Sequence, residues 1–214
     1  MSEFNSLTAS ELGDLIGKGE IDPVELTEYF ISQIDLSPIG KKIYSTVTSQ
    51  LALEQAKGSK TRAKLGRRLS SLDGVPISWK DLFDIKGYPC EAGSDLLGGR
   101  LANKNAKVYN FAEAHGLICL GKTHMSELAF SGLGLNPVKE TPPCVNYPGA
   151  VPGGSSSGAA TSVAFGLAVA GIGSDTGGSV RIPAAWNDLV GFKPTAGKLS
   201  LEGVVPLCSR FDTV

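Results

Sequence analysis

Apolar positions follow two different rhythms along this chain. Near the N-terminus, Val24, Tyr29, Phe30 and Ile34 fall among the apolar positions of one helix, which is expected to run to about Asp35. Its start is marked by capping chemistry: Asp22, Pro23, Val24 and Glu25 place a cap, a first-turn proline and an N3 carboxylate in order. Thr8 and Glu11 announce an earlier helix by the spacing of a capping box, and a third is predicted over 50–57. From residue 72 the apolar residues gather into short runs broken by glycine and proline: "GVPISWKD" (74–81), "GLICLGKT" (116–123), "LAVAGIGSD" (167–175) and "LVGFKPT" (189–195). These read as buried strands alternating with helices over 106–115 and 157–165. The fold class is therefore α/β, a mixed β-sheet core flanked by helices. One domain is expected over 1–214, helical to about residue 70 and built on the sheet core from about 71.

Composition narrows the function. With 214 residues, 42% hydrophobic and 19% charged, the chain can bury one substantial core. Lys plus Arg number 20 against 21 Asp plus Glu, which leaves no basic excess for direct nucleic-acid binding. No apolar stretch reaches the length of a membrane span or a signal-peptide core, so a cytoplasmic protein with no membrane partner is expected. The basic run at 57–68 reads as a solvated helix face or loop rather than a polyanion site. Cys90, Cys119, Cys144 and Cys208 form no C-x-x-C pair and only two histidines exist, so no metal, cofactor or disulfide framework is expected.

Two motifs are decoys. Residues 116–123 match G-x-x-x-x-G-K-[ST], yet Leu117, Ile118, Cys119 and Leu120 make an apolar run where a phosphate cradle needs an open loop. "GSSSG" around Ser156 satisfies G-x-S-x-G, but that fold needs a histidine after the serine, and His115 and His124 both precede it. What remains at 152–186 is a stretch dense in serine and glycine that contains no histidine. Lysine is the other side chain that can serve as a base for serine, provided burial neutralises it. Lys80, Lys122 and Lys193 all fit, and spacing does not choose among them. In "SDTGGS" the successive N–H groups of Thr176, Gly177, Gly178 and Ser179 can converge on one point, as an oxyanion hole requires.

Taken in order, "LDGVPISWKDLFDIKG", "GKTHMSELAFSGLGLNP", "PGGSSSGAA", "GSDTGGSVRIPAA" and "GFKPTAGKLS" resemble the amidase signature enzymes over most of the chain. The resemblance implies a Ser–cis-Ser–Lys triad with Ser179 as nucleophile, Ser155 as the bridging serine after a cis peptide, and Lys80 as base. It implies an oxyanion hole at Thr176, Gly177 and Gly178, and acyl transfer from a small-molecule amide through a seryl acyl-enzyme. Three features depart from the family's pattern. Ser157 replaces a usual glycine, Asp188 stands where a small residue or glycine is usual, and the sequence stops at "SRFDTV" where relatives run on. The last departure implies an N-terminal portion with an incomplete sheet and little activity of its own. A stand-alone amidase, with a homodimer as a further expectation, is the leading function. The alternatives are the A subunit of a glutamyl-tRNA(Gln) amidotransferase, from which the segment "SELAFSGLGLNPVKETPPC" differs, and a non-catalytic fragment.

Overall fold

The computed structural model describes residues 4–214. Helix α1 (Ala9–Lys18) starts on the expected capping box: Glu11 N–H donates to Thr8 Oγ1 at 3.2 Å and Thr8 N–H to Glu11 Oε2 at 2.8 Å. Helix α2 (Pro23–Leu36) is capped by Asp22, whose Oδ1 accepts Val24 N–H at 2.9 Å. A single turn, α3 (Gly40–Ile43), leads into β1 (Tyr44–Val47). Helix α4 (Ser49–Lys64) is twice the predicted length. Its polar second half is a solvated face: Lys60 pairs with Asp22, and Arg62 forks onto Asp73 at 2.6 and 2.8 Å. It ends at Gly66, whose φ of +65° is the left-handed exit that glycine adopts without strain.

Strand β2 (Pro76–Lys80), helix α5 (Lys107–Ala114), strand β3 (Ile118–Thr123), helix α6 (Ser157–Ala164), strand β4 (Gly171–Ile172) and helix α7 (Arg181–Trp186) follow. The sheet order is β1-β3-β2-β4. β1 is antiparallel to β3, while β2 is parallel to both β3 and β4, so the sheet is mixed as expected.

The two later apolar runs behave differently from their pattern. In 167–175 only Gly171 and Ile172 join the sheet, because Leu167 and Ala168 N–H donate to Ser162 O at the end of α6, and Leu167 O accepts from Tyr44 Oη. The predicted strand at 189–195 does not form. Val190 and Phe192 are 98% and 78% exposed, and no ladder partner faces them among the described residues.

Strand alternation then positions the chemistry. Ile77 and Trp79 point into the main core, where Trp79 packs against Phe83 and Tyr109 at ring separations of 5.4 and 5.2 Å. Ser78 and Lys80 occupy the alternate positions, and both meet serines on the other side: Ser78 Oγ lies 2.8 Å from Ser162 Oγ of α6, and Lys80 reaches the start of that helix.

Candidate active site

Lys80 ends β2 with no solvent exposure, and its Nζ donates to Ser155 Oγ at 2.7 Å and to Ser174 Oγ at 2.9 Å. Burial lowers its pKa from 10.5 to about 7, against the opposing pull of the Asp175 and Asp212 carboxylates. At neutral pH a large share of the amine is therefore unprotonated and has a lone pair to accept a proton.

Ser155 is fully buried and follows a cis Gly154–Ser155 peptide. The glycine before it is required by close packing: a Cβ on Gly154 would stand 2.6 Å from Gly134 N and 2.7 Å from Ser126 Oγ. Ser156 precedes α6, where its Oγ accepts Ser174 N–H and its N–H donates to Ser179 O at 3.1 Å. That backbone bond sets the Ser179 main chain beside Ser156, the residue that follows Ser155. The Ser179 hydroxyl has no hydrogen-bond partner among the described residues.

The turn carrying Ser179 is organised by Asp175, which is 1% exposed. Its carboxylate accepts Gly178 N–H at 2.7 Å, Val180 N–H at 3.1 Å and the Arg181 guanidinium at 3.0 Å on each oxygen. Burial alone raises a carboxyl pKa, but Arg181 and then these N–H groups outweigh it and hold Asp175 below its usual range. Gly178, at φ +137°, thus directs its N–H to Asp175. Of the three expected oxyanion donors, Thr176 and Gly177 keep N–H groups with no hydrogen-bond acceptor among the described residues.

Beside Ser179 lies an open groove of about 420 Å³, bounded by Phe130, Ser131, Thr176, Gly177, Ile182 and Leu207. One wall includes Ala129, which follows Leu128; both are non-glycine residues with left-handed φ, of +61° and +49°.

The other candidates have partners elsewhere. Lys122 is buried in β3, held by Asp81 Oδ1 at 2.7 Å and Pro89 O at 2.6 Å, and the P-loop-like stretch around it is strand. Lys193 donates to Pro194 O. His115 Nδ1 pairs with Phe111 O, and burial lowers the pKa of His124. Ser157 is buried on α6 and donates to His124 O at 3.4 Å, a long bond. Asp188 is exposed after α7 with φ +58°, which gives a backbone reason why glycine suits that position.

Sequence reasoning does not single out Ser174, Asp175 or Asp212. Asp175 carries a signal, an acid two residues before a pair of glycines; Asp212 carries none, because its partner Thr176 is 36 residues away.

The amidase family profile matches residues 25–214. The A subunit of glutamyl-tRNA(Gln) amidotransferase from Anaeromyxobacter dehalogenans (strain 2CP-C) is 40% identical over 214 residues, covering 99% of this chain and 43% of the relative. Its counterpart from Chloroflexus aggregans (strain MD-66 / DSM 9485) is 36% identical, with coverages of 100% and 44%. Among solved structures, native peptide amidase from Stenotrophomonas maltophilia superposes with a TM-score of 0.91 at 30% identity, over 98% of this chain and 44% of that one. A fatty acid amide hydrolase gives 0.84 at 26% identity, over 95% and 36%. The chain spans less than half the length of these relatives. On the extent of the family match and the identity to these relatives, the chain belongs to the amidase family, the amidase-signature enzymes.

Proposed function

We propose that this chain carries the acyl-transfer centre of an enzyme that cleaves the C–N bond of a carboxamide. Neutral Lys80 accepts the Ser155 hydroxyl proton while Ser155 Oγ takes the proton of Ser179, and Ser179 Oγ attacks the amide carbon. The carbonyl oxygen, now anionic, is met by the N–H groups of Thr176 and Gly177. The proton returns through the same relay to the leaving nitrogen, the C–N bond breaks, and ammonia or an amine departs from a Ser179 ester. Water attacks the ester by the reverse proton route and releases the carboxylic acid. The observation that carries this reading is the 2.7 Å contact from a solvent-free Lys80 amine, with a pKa near 7, to Ser155 Oγ.

A second reading has specific support: curated relatives at 36–40% identity are amidotransferase A subunits, which act within a larger assembly. There the same acyl step would run on a glutamine side-chain amide and the ammonia would pass to a partner subunit.

The chemistry is tested by reacting the protein with a fluorophosphonate probe and mapping the adduct by peptide mass spectrometry. Modification at Ser179, lost in Ser179→Ala, is expected; no modification, or modification that persists in Ser179→Ala, overturns the assignment. Release of ammonia from glutamine in preference to simple carboxamides would favour the second reading over the first.

A further inference from the structure

Residues 207–213 lie across the Ser174–Ser179 turn. Asp175 and Thr213 exchange backbone hydrogen bonds at 2.8 and 3.1 Å. Beside them Asp212, 7% exposed, accepts Leu207 N–H at 3.0 Å, Cys208 N–H at 3.0 and 3.1 Å, and the Thr176 hydroxyl in a short contact. Leu207, from the same segment, forms part of the groove beside Ser179.

The sequence of the turn explains why such a clamp matters. Gly177 and Gly178 follow Thr176, and two successive glycines give the backbone freedom to point its N–H groups in several directions. The far side of this flexible pair is fixed by Asp175 through Gly178, Val180 and Arg181. On the near side, the side-chain anchor of Thr176 is Asp212. We propose that Asp212 is a positioning residue: by holding the Thr176 hydroxyl it fixes the entry to the glycine pair and so orients the Thr176 and Gly177 N–H groups toward the groove at Ser179. This rests on the acyl-transfer reading given above, in which those N–H groups meet the oxyanion. The 207–213 segment is then part of the catalytic apparatus and not only its cover. The Asp212 charge also opposes the lowering of the Lys80 pKa, so the same side chain acts on both the turn and the base.

The test uses the full-length protein with Thr176→Val, Thr176→Ser, Asp212→Ala and Asp212→Asn, and two readouts. Amide hydrogen exchange at Asp175 and Gly178, whose N–H groups are hydrogen-bonded, should speed up at least about tenfold in Thr176→Val and Asp212→Ala, with α2 and β2 unchanged. Thr176→Ser keeps the hydroxyl and Asp212→Asn keeps an acceptor oxygen, so both should stay within about threefold of the parent. Fluorophosphonate labelling of Ser179 should fall in the same two variants and recover in the conservative ones. The expected loss is tenfold or more, approaching the roughly 10²–10³ associated with one oxyanion-hole donor. Should Asp212→Ala fail to fold, Thr176→Val carries the comparison alone. Parental exchange and labelling in Thr176→Val overturn the positioning role and leave the acyl-transfer reading intact. If the parent itself is not labelled, the acyl-transfer reading fails and Asp212 loses its catalytic purpose, whatever the exchange shows.

Discussion

Lys80 Nζ and Ser155 Oγ are 2.7 Å apart in a spot that water does not reach. Burying an amine there has a stability consequence of definite sign. Its pKa falls from 10.5 unfolded to about 7 folded, so between those values the unfolded chain binds more protons and stability rises with pH. The penalty is fully present below pH 7. Lys80→Met should abolish this slope, so that the stability difference between variant and parent shrinks by roughly 2–3 kcal/mol from pH 7 to pH 9, at about 1.4 kcal/mol per unit. Urea unfolding at the two pH values measures it. Taking the difference cancels the buried Cys90, Cys119 and Tyr44, whose raised pKa values pull stability the other way at high pH. A constant difference would mean that Lys80 is not held in a depressed state.

Asp175 and Arg181 form an ion pair whose two members should behave unequally. Asp175→Ala removes the acceptor for Gly178 and Val180 N–H in a buried turn and strands those donors, at a cost of about 3–5 kcal/mol. Arg181, with half its side chain in solvent, leaves an Asp175 still satisfied by backbone N–H groups, so Arg181→Ala should cost distinctly less. Equal losses by denaturant titration would contradict this division of labour.

At Asp188 the backbone sits at φ +58° with the side chain exposed. A left-handed conformation penalises a residue with a Cβ by roughly 1 kcal/mol, less for aspartate than for most. Asp188→Gly is therefore expected to raise Tm by about 2 °C without altering labelling of Ser179. A lower Tm would show that the Asp188 side chain makes a compensating interaction.

Nucleotide binding at 116–123 is not expected, because all six residues of β3 are buried in the sheet and Lys122 is engaged by Asp81 and Pro89. Titration with ATP and magnesium should show no saturation in the micromolar range. Saturable binding that disappears in Lys122→Met would refute this.

Much of this arrangement was legible locally. The caps of α1 and α2 are written in four-residue patterns, and the alternation in "PISWK" separates the core side chains Ile77 and Trp79 from Ser78 and Lys80 on the other face. The elements that escaped are those set by distant partners. β1 has polar Ser45 and Thr46 in the middle of a four-residue edge strand, and it exists because β3 offers it a ladder. α7 contains Pro183, an ordinary breaker, which is tolerated because it lies in the first turn where a missing N–H costs no helical bond. At 189–195 the opposite occurs: the apolar pattern of a strand is present, but no described segment pairs with it. Asp212 and Ser174 were invisible for the same reason, since their roles come from contacts across 36 and 94 residues of sequence.

The central claim is that a neutral lysine activates Ser179 through Ser155. Its most direct measurement is the pH dependence of the second-order rate at which a fluorophosphonate modifies Ser179, in the parent and in Ser155→Ala and Lys80→Met. The account predicts one rising limb with a midpoint near pH 7, where Lys80 loses its proton, and a fall of about 10² or more in both variants at the plateau. A rate indifferent to pH between 5 and 9, a midpoint near the pKa of about 10 of an ordinary lysine, or parental reactivity in Lys80→Met would contradict it.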